Sequence, residues 1–203
     1  VGDIIDGWAL KRSVFWPQSH SDVVQKLLRK ARKGTRVVYV PGNHDEALRG
    51  FVDNTFGGVE LVRECDHLTA DGRRLLVMHG DEFDQITTHH KWVAVIGDVL
   101  YNASVRVNVL NNRFRRRMGW RPWSFSAFLK HRVKKVVNFI SSYEQVLAAE
   151  CKRRAYDGIV CGHIHHAEME TIEGVLYCNT GDWVESCTAL VEHDDGRLEL
   201  LSL

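Results

Sequence analysis

The chain has no Cys-x-x-Cys pair, no apolar run near the ~18 residues of a membrane span, no secretory leader, no internal repeat and no low-complexity tract. Its five cysteines (Cys65, Cys151, Cys161, Cys178, Cys187) are odd in number. A disulfide framework and a zinc knuckle are therefore set aside, and the thiols read as small buried hydrophobes in a reducing compartment. A soluble, cytoplasmic protein is the expectation. The formal net charge of +1 argues against a generic polyanion binder, but the charge is unevenly spread. Between Val99 and Tyr143 there is no Asp or Glu and there are ten Lys or Arg, so the rest of the chain is net acidic.

What is present is a 203-residue chain, 44% hydrophobic, enough for one domain with a sizeable core. Val1-Gly2-Asp3 reads as the end of a strand, and on that reading the chain is truncated at its start. A helix follows, with Ser19 or Ser21 as its cap, a stripe of Val23, Val24, Leu27, Leu28 and Ala31, and Gly34 closing it. Val37 to Val40 is a short buried strand stopped by Pro41-Gly42. Asp71-Gly72 sits between two strand-like runs, as do Glu173-Gly174 and Asp195-Gly196, which predicts three hairpins. Asp157 to Cys161 predicts a further strand. From about 85 to 152 the pattern is helical, with one stripe through Trp92, Val95, Ile96, Val99 and Leu100 and a longer one from Phe125 to Leu147. Between them lies a basic segment that includes Arg113, Arg116, Arg117, Trp120 and Trp123. The whole reads as a single domain over 1–203 carrying a helical insertion over its strand-end loops.

Four strand-like runs end in glycine next to Asp, Asn or His: Gly2-Asp3, Gly42-Asn43-His44-Asp45, His79-Gly80-Asp81 and Gly162-His163-Ile164-His165. Each alone is an ordinary polar turn. Together they are a recurring pattern, because strand ends on one sheet edge converge and residues far apart in sequence can then surround one cation. Oxygen and imidazole donors without thiolate suit Mn, Fe, Zn or Co. His163 and His165, two apart in an extended segment, share a side and can serve two neighbouring ions. Two ions about 3.5–4 Å apart need a bridging carboxylate, for which Asp3 is the candidate.

In this order, Gly-Asp-x-x-Asp, Gly-Asn-His-Asp, His-Gly-Asp and Gly-His-x-His resemble the motifs of the calcineurin-like metallophosphoesterases, over residues 2 to about 183. The resemblance implies a four-layer α-β-β-α sandwich and a centre of two divalent ions, manganese first, zinc or iron as alternatives. It implies that Asp3 bridges the ions, that Asn43, His79 and His163 complete one, and that His165 contributes to the other. His44, oriented by Asp6, would protonate the leaving oxygen. The family's first motif, Asp-x-His, has no counterpart in this chain, which leaves one nearly complete metal site and one half site.

The long insertion after His79-Gly80-Asp81 and the Gly181-Asp182-Trp183 sequence resemble the UDP-2,3-diacylglucosamine pyrophosphohydrolases of lipid A synthesis. That resemblance implies an acyl-binding lid, a peripheral place on the inner membrane, and Arg113, Arg116, Arg117, Trp120 and Asp81 as substrate contacts. One residue departs from it: those lipid enzymes carry Arg after the motif Asn, where this chain has His44. Two further readings stand beside it. A generic phosphodiesterase or nuclease would use the basic segment as a backbone track with Trp120 and Trp123 stacking on bases. A catalytically silent protein would bind a membrane through the basic helices.

Overall fold

The computed structural model describes residues 1–13, 15–86, 140, 142–184 and 186–202. Two compact units are present, Val1–Asp81 with Glu144–Leu203 as one and Glu82–Tyr143 as the other. Nearly all of the second, with the stripe through Trp92–Leu100, most of the stripe from Phe125 and the whole basic segment, lies outside the described residues. The first unit is mixed α/β.

It opens with helices α1 (Gly7–Arg12) and α2 (Gln18–Arg32), then strand β1 (Val37–Tyr39), a 3-10 turn (Glu46–Phe51), and strands β2 (Thr55–Phe56) and β3 (Val59–Leu61). Strands β4 (Glu64–Leu68) and β5 (Arg74–Met78) form the first of the expected hairpins, joined through Asp71-Gly72. Helix α3 covers residues 142–153. After it come β6 (Gly158–Cys161), the β7–β8 hairpin (Glu168–Ile172, Val175–Asn179) and the β9–β10 hairpin (Thr188–Glu192, Leu198–Ser202). Five strands form one sheet in the order β4-β5-β6-β8-β7, in which β5, β6 and β8 run parallel. A smaller sheet has the order β1-β3-β2, with β1 and β3 parallel, and β9 pairs with β10.

The physics of the large sheet is that of a parallel core. Strand β6 is buried along its whole length, as expected for a central strand covered on both faces. Leu75, Leu76, Ile159 and Tyr177 are at most 1% exposed, and α3 contributes Leu147, Ala148 and Cys151 to the buried set. Arg154, just past α3, makes a two-armed pair with Glu64 on β4. Three parallel strands therefore end at one edge, and the residues following them are brought together.

Several local expectations are corrected. Val1-Gly2 is not a strand; Gly2 has φ +59° and its N–H donates to the Val40 carbonyl at 2.6 Å. The N-cap of α2 is Pro17, with no side-chain cap, so Ser19 and Ser21 lie inside the helix. Of the α2 stripe, Val23 and Leu27 are exposed, while Val24, Leu28 and Ala31 are half-buried. Leu28 and Ala31 lie against the Gly57-Gly58 turn between β2 and β3, the side of the helix that is covered. All five cysteines are free; Cys151, Cys161 and Cys178 are buried, whereas Cys65 and Cys187 are partly exposed.

Candidate metal centre

The Pro41-Gly42-Asn43-His44-Asp45 turn after β1 is built around a residue the sequence reading passed over. Asp45 is 4% exposed. Its carboxylate accepts from Tyr39 Oη and the Gly42 N–H (both 2.5 Å), the Ile4 N–H (3.0 Å) and, more weakly, the Asp3 N–H (3.4 Å). Burial and this carboxylate push the Tyr39 phenol well above its ordinary range. One side chain thus ties the end of β1 to the Gly2–Ile4 segment and fixes Asn43 and His44 between them. The available signal was its place as the last acid of a turn with four polar N–H groups to satisfy.

Asp3, Asn43, His79 and His163 meet. Asp3 Oδ2 lies 3.2 Å from His79 Nε2. Asn43 Oδ1 lies 3.3 Å from His79 Nε2 and 3.1 Å from His163 Nδ1. One ligand atom from each of Asp3, His79 and His163 falls within 4.8 Å of the other two. Burial by itself would push the Asp3 carboxyl up, yet the His79 ring, the His44 backbone N–H (2.8 Å) and the charge of both rings hold it down at about 2.

These residues fit a cation. His79 is 4% exposed and turns Nε2 toward Asp3 and Asn43, while Nδ1, buried with no hydrogen-bond partner, faces Gly2. Two imidazole nitrogens and two oxygens converge where internal hydrogen bonds alone leave lone pairs facing one another; a positive ion turns each into a ligand. The backbone leaves room for this grouping. A Cβ at Gly2 would fall 1.8 Å from His79 Nδ1, and one at Gly42 would fall 2.2 Å from Asp3 Oδ1. Glycine at both positions is thus a requirement of close approach.

His165 stands apart. Both His163 and His165 have positive φ (68° and 56°), so the segment is not the extended one expected from the His-x-His spacing. His165 is exposed, with Nδ1 3.7 Å from Asp182 Oδ2. Asp182 itself is positioned from the end of β8: Asn179, fully buried, donates from Nδ2 to the Gly162 carbonyl (2.9 Å) and accepts the Gly181 N–H at Oδ1 (3.0 Å). Asn179 therefore locks the β6 and β8 exits together. Its signal was a polar residue closing the apolar run Val175–Cys178.

At the edge of the cluster, His44 Nδ1 lies 3.1 Å from Asp6 Oδ1, and the His44 ring stacks on Trp8 with centroids 4.2 Å apart. Asp6 also caps α1 by accepting the Ala9 N–H at 2.9 Å. That bond and the His44 ring hold the Asp6 carboxyl below its usual range. Asp81 accepts from Arg49 at 2.7 Å, a pair that joins the 3-10 turn to the exit of β5. Arg113, Arg116, Arg117 and Trp120 lie outside the described residues.

The family model for calcineurin-like phosphoesterases matches residues 1–167 of this chain. The chain belongs to the calcineurin-like phosphoesterases. With the family come its mixed α/β fold, metal-dependent hydrolysis of phosphoesters and a dinuclear divalent metal centre. This phosphoesterase is also similar to a structure described as a novel archaeal phosphodiesterase, at 11% identity and a TM-score of 0.38, over 87% of this chain and 74% of that one. No curated protein matches it. Among the described residues of the phosphoesterase, no helix is long and apolar enough to cross a membrane.

Proposed function

We propose that this phosphoesterase hydrolyses the phosphoric anhydride of an amphiphilic nucleotide-sugar, with UDP-2,3-diacylglucosamine as the first candidate, cut to UMP and an acylated glucosamine 1-phosphate. The observation that carries the hydrolase reading is the meeting of Asp3, Asn43, His79 and His163 beside the Asp6–His44 pair. Divalent ions, manganese first, would lower the pKa of a bound water and offset charge on the phosphoryl oxygens. Asp3, Asn43, His79 and His163 are the proposed ligands of one ion, and His165, next to Asp182, the proposed ligand of the other.

The remaining work falls to this chain's own groups. Asp6 and the stacked Trp8 hold the His44 ring in one orientation, so that its proton can be delivered to the departing oxygen. The amphiphilic part of the reading is supported by exposed apolar side chains next to residues of the site: Ile4 follows Asp3, Trp8 stacks on His44, and Trp183 and Val184 follow Asp182. Arg113, Arg116, Arg117 and Trp120 are proposed to meet the diphosphate and the base, at the surface of the inner membrane. Asp81 is proposed to act through Arg49.

His44 itself favours a second reading, a phosphodiesterase acting on soluble diesters, since the lipid enzymes carry Arg at that place. One experiment tests both. Wild type, His79→Ala and His163→Ala are assayed with manganese on UDP-2,3-diacylglucosamine, bis-p-nitrophenyl phosphate and an oligonucleotide. Loss of turnover in both variants, with circular dichroism unchanged, supports the metal centre. Retained metal-stimulated hydrolysis in both overturns it, and preference for a soluble diester overturns the lipid substrate alone.

A further inference from the structure

A second group of metal-capable side chains lies in the same compact unit, made of residues other than those of the first group. Glu168 and Glu170 alternate with Met169 on β7, so they share one face of the sheet. In the ladder they stand opposite Asn179 and Tyr177, both completely buried. Helix α3 brings Glu144 to that face. One carboxylate oxygen from each of Glu144, Glu168 and Glu170 lies within 4.8 Å of the other two.

Acidic clusters are common on protein surfaces, where water and salt disperse the charge. This one differs at Glu144. The residue is only 7% exposed, and its Oε1 is buried with no hydrogen-bond partner. A carboxylate held out of water against two others, with one oxygen unsatisfied, is costly unless something positive completes it. Among the described residues the offsetting basic group is His166, whose Nε2 lies 2.9 Å from Glu168 Oε2 and which leaves the Glu144 oxygen unmatched. Three carboxylates spaced within 4.8 Å match the reach of an ion that binds oxygen at about 2.3–2.6 Å, so that ligands on opposite sides are about 4.6–5.2 Å apart. An all-carboxylate set selects hard cations over the borderline metals that imidazole attracts.

We propose that Glu144, Glu168 and Glu170 form a second cation site, for a hard divalent ion of the calcium class, which clamps α3 onto the edge strand β7. Its role is structural. Among the described residues β7 pairs on one side only, with β8, and the ion gives that edge a bond to α3.

The test uses the full chain stripped with EDTA. Calcium binding is followed by titration calorimetry, and terbium(III) luminescence, sensitised by nearby tyrosine such as Tyr177, is compared between the wild type and the variants to assign the signal to this site. The wild type takes up calcium and its melting temperature rises. Glu144→Gln and Glu170→Gln each weaken calcium binding by about tenfold or more and reduce the terbium signal. Glu170 is exposed, so its variant folds even if the buried substitution does not. His79→Ala and His163→Ala keep calcium binding, which separates this site from the hydrolytic centre and makes the result independent of activity on any substrate. No calcium uptake by the wild type at millimolar concentration overturns the proposal. So does uptake that survives both glutamate substitutions, or uptake lost in the histidine variants and kept in the glutamate ones.

Discussion

Asp45 and Glu144 are both carboxylates taken out of water, at 4% and 7% exposure, and they have opposite surroundings. Asp45 receives one hydroxyl and three backbone N–H groups. Glu144 has an oxygen that receives nothing, and its neighbours are two more acids. Burial and those two acids push its carboxyl above the ordinary range. The first arrangement is complete within the protein: the charge is spent on joining the end of β1 to the Gly2–Ile4 segment. The second is incomplete within the protein. Burial of a carboxylate therefore carries no fixed meaning; the count of donors around it decides whether it is a brace or a ligand in waiting.

Breaking the brace has the largest effect. Asp45→Ala leaves Tyr39 Oη and the Gly42 and Ile4 N–H groups without their acceptor. At about 1–3 kcal/mol for each of these three donors left unsatisfied, a loss of about 3–9 kcal/mol is expected in urea unfolding. Because Asn43 and His44 sit on the same turn, turnover is lost as well. A variant with full stability would show that the Asp45 hydrogen bonds are replaced by water, and would remove the contrast with Glu144.

Next in size is the chemistry that the brace supports. His44→Ala is expected to lower turnover by about 10²–10⁴-fold, the range for removing a positioned acid. Asp6→Asn, which leaves the ring in place but weakens its orientation, costs less. The defect in His44→Ala should shrink on a p-nitrophenyl ester, whose leaving group departs without a proton, while the manganese content stays at the wild-type level. An equal defect on both leaving groups would show that His44 does not donate that proton, and would leave the turn a purely structural element.

The hairpins around Asp71-Gly72, Glu173-Gly174 and Asp195-Gly196 were legible in the sequence because turn chemistry and strand alternation agree there. The meeting of His79 and His163 was legible for a different reason: β5 and β6 are parallel, so the motifs that end them must share an edge. Asp3 and Asn43 join them from outside that sheet, through the Asp45 and His44 hydrogen bonds to the Gly2–Ile4 segment. The parts that were not legible depend on dihedrals or on distance. Spacing alone cannot reveal that His163 and His165 both take positive φ, which makes the segment bent and not extended. Nor can it show that Arg49 takes up Asp81, 32 residues away. The strands β2 and β3, two and three residues long, are too short for a period to register. Glu144 sits 24 and 26 positions before its partners Glu168 and Glu170, on a helix that buries Leu147, Ala148 and Cys151, and no local spacing relates the two elements.

The smallest effect is also the sharpest contrast, because its sign reverses. Without added cations, Glu144→Gln removes one of three crowded charges and gives Oε1 a neutral surrounding. A polar group that no longer has to stay ionised while buried is expected to raise stability by about 1 kcal/mol. With calcium in excess the order inverts, since binding to the folded state alone stabilises the wild type in proportion to the logarithm of ligand concentration and the variant lacks a ligand. Urea midpoints for the two chains in EDTA and in millimolar calcium check both halves. Asp45→Asn has no such crossover, because its carboxylate is already satisfied by the fold. If Glu144→Gln destabilises the chain in EDTA as well as in calcium, then Glu144 is a brace like Asp45 and the distinction between the two regions fails.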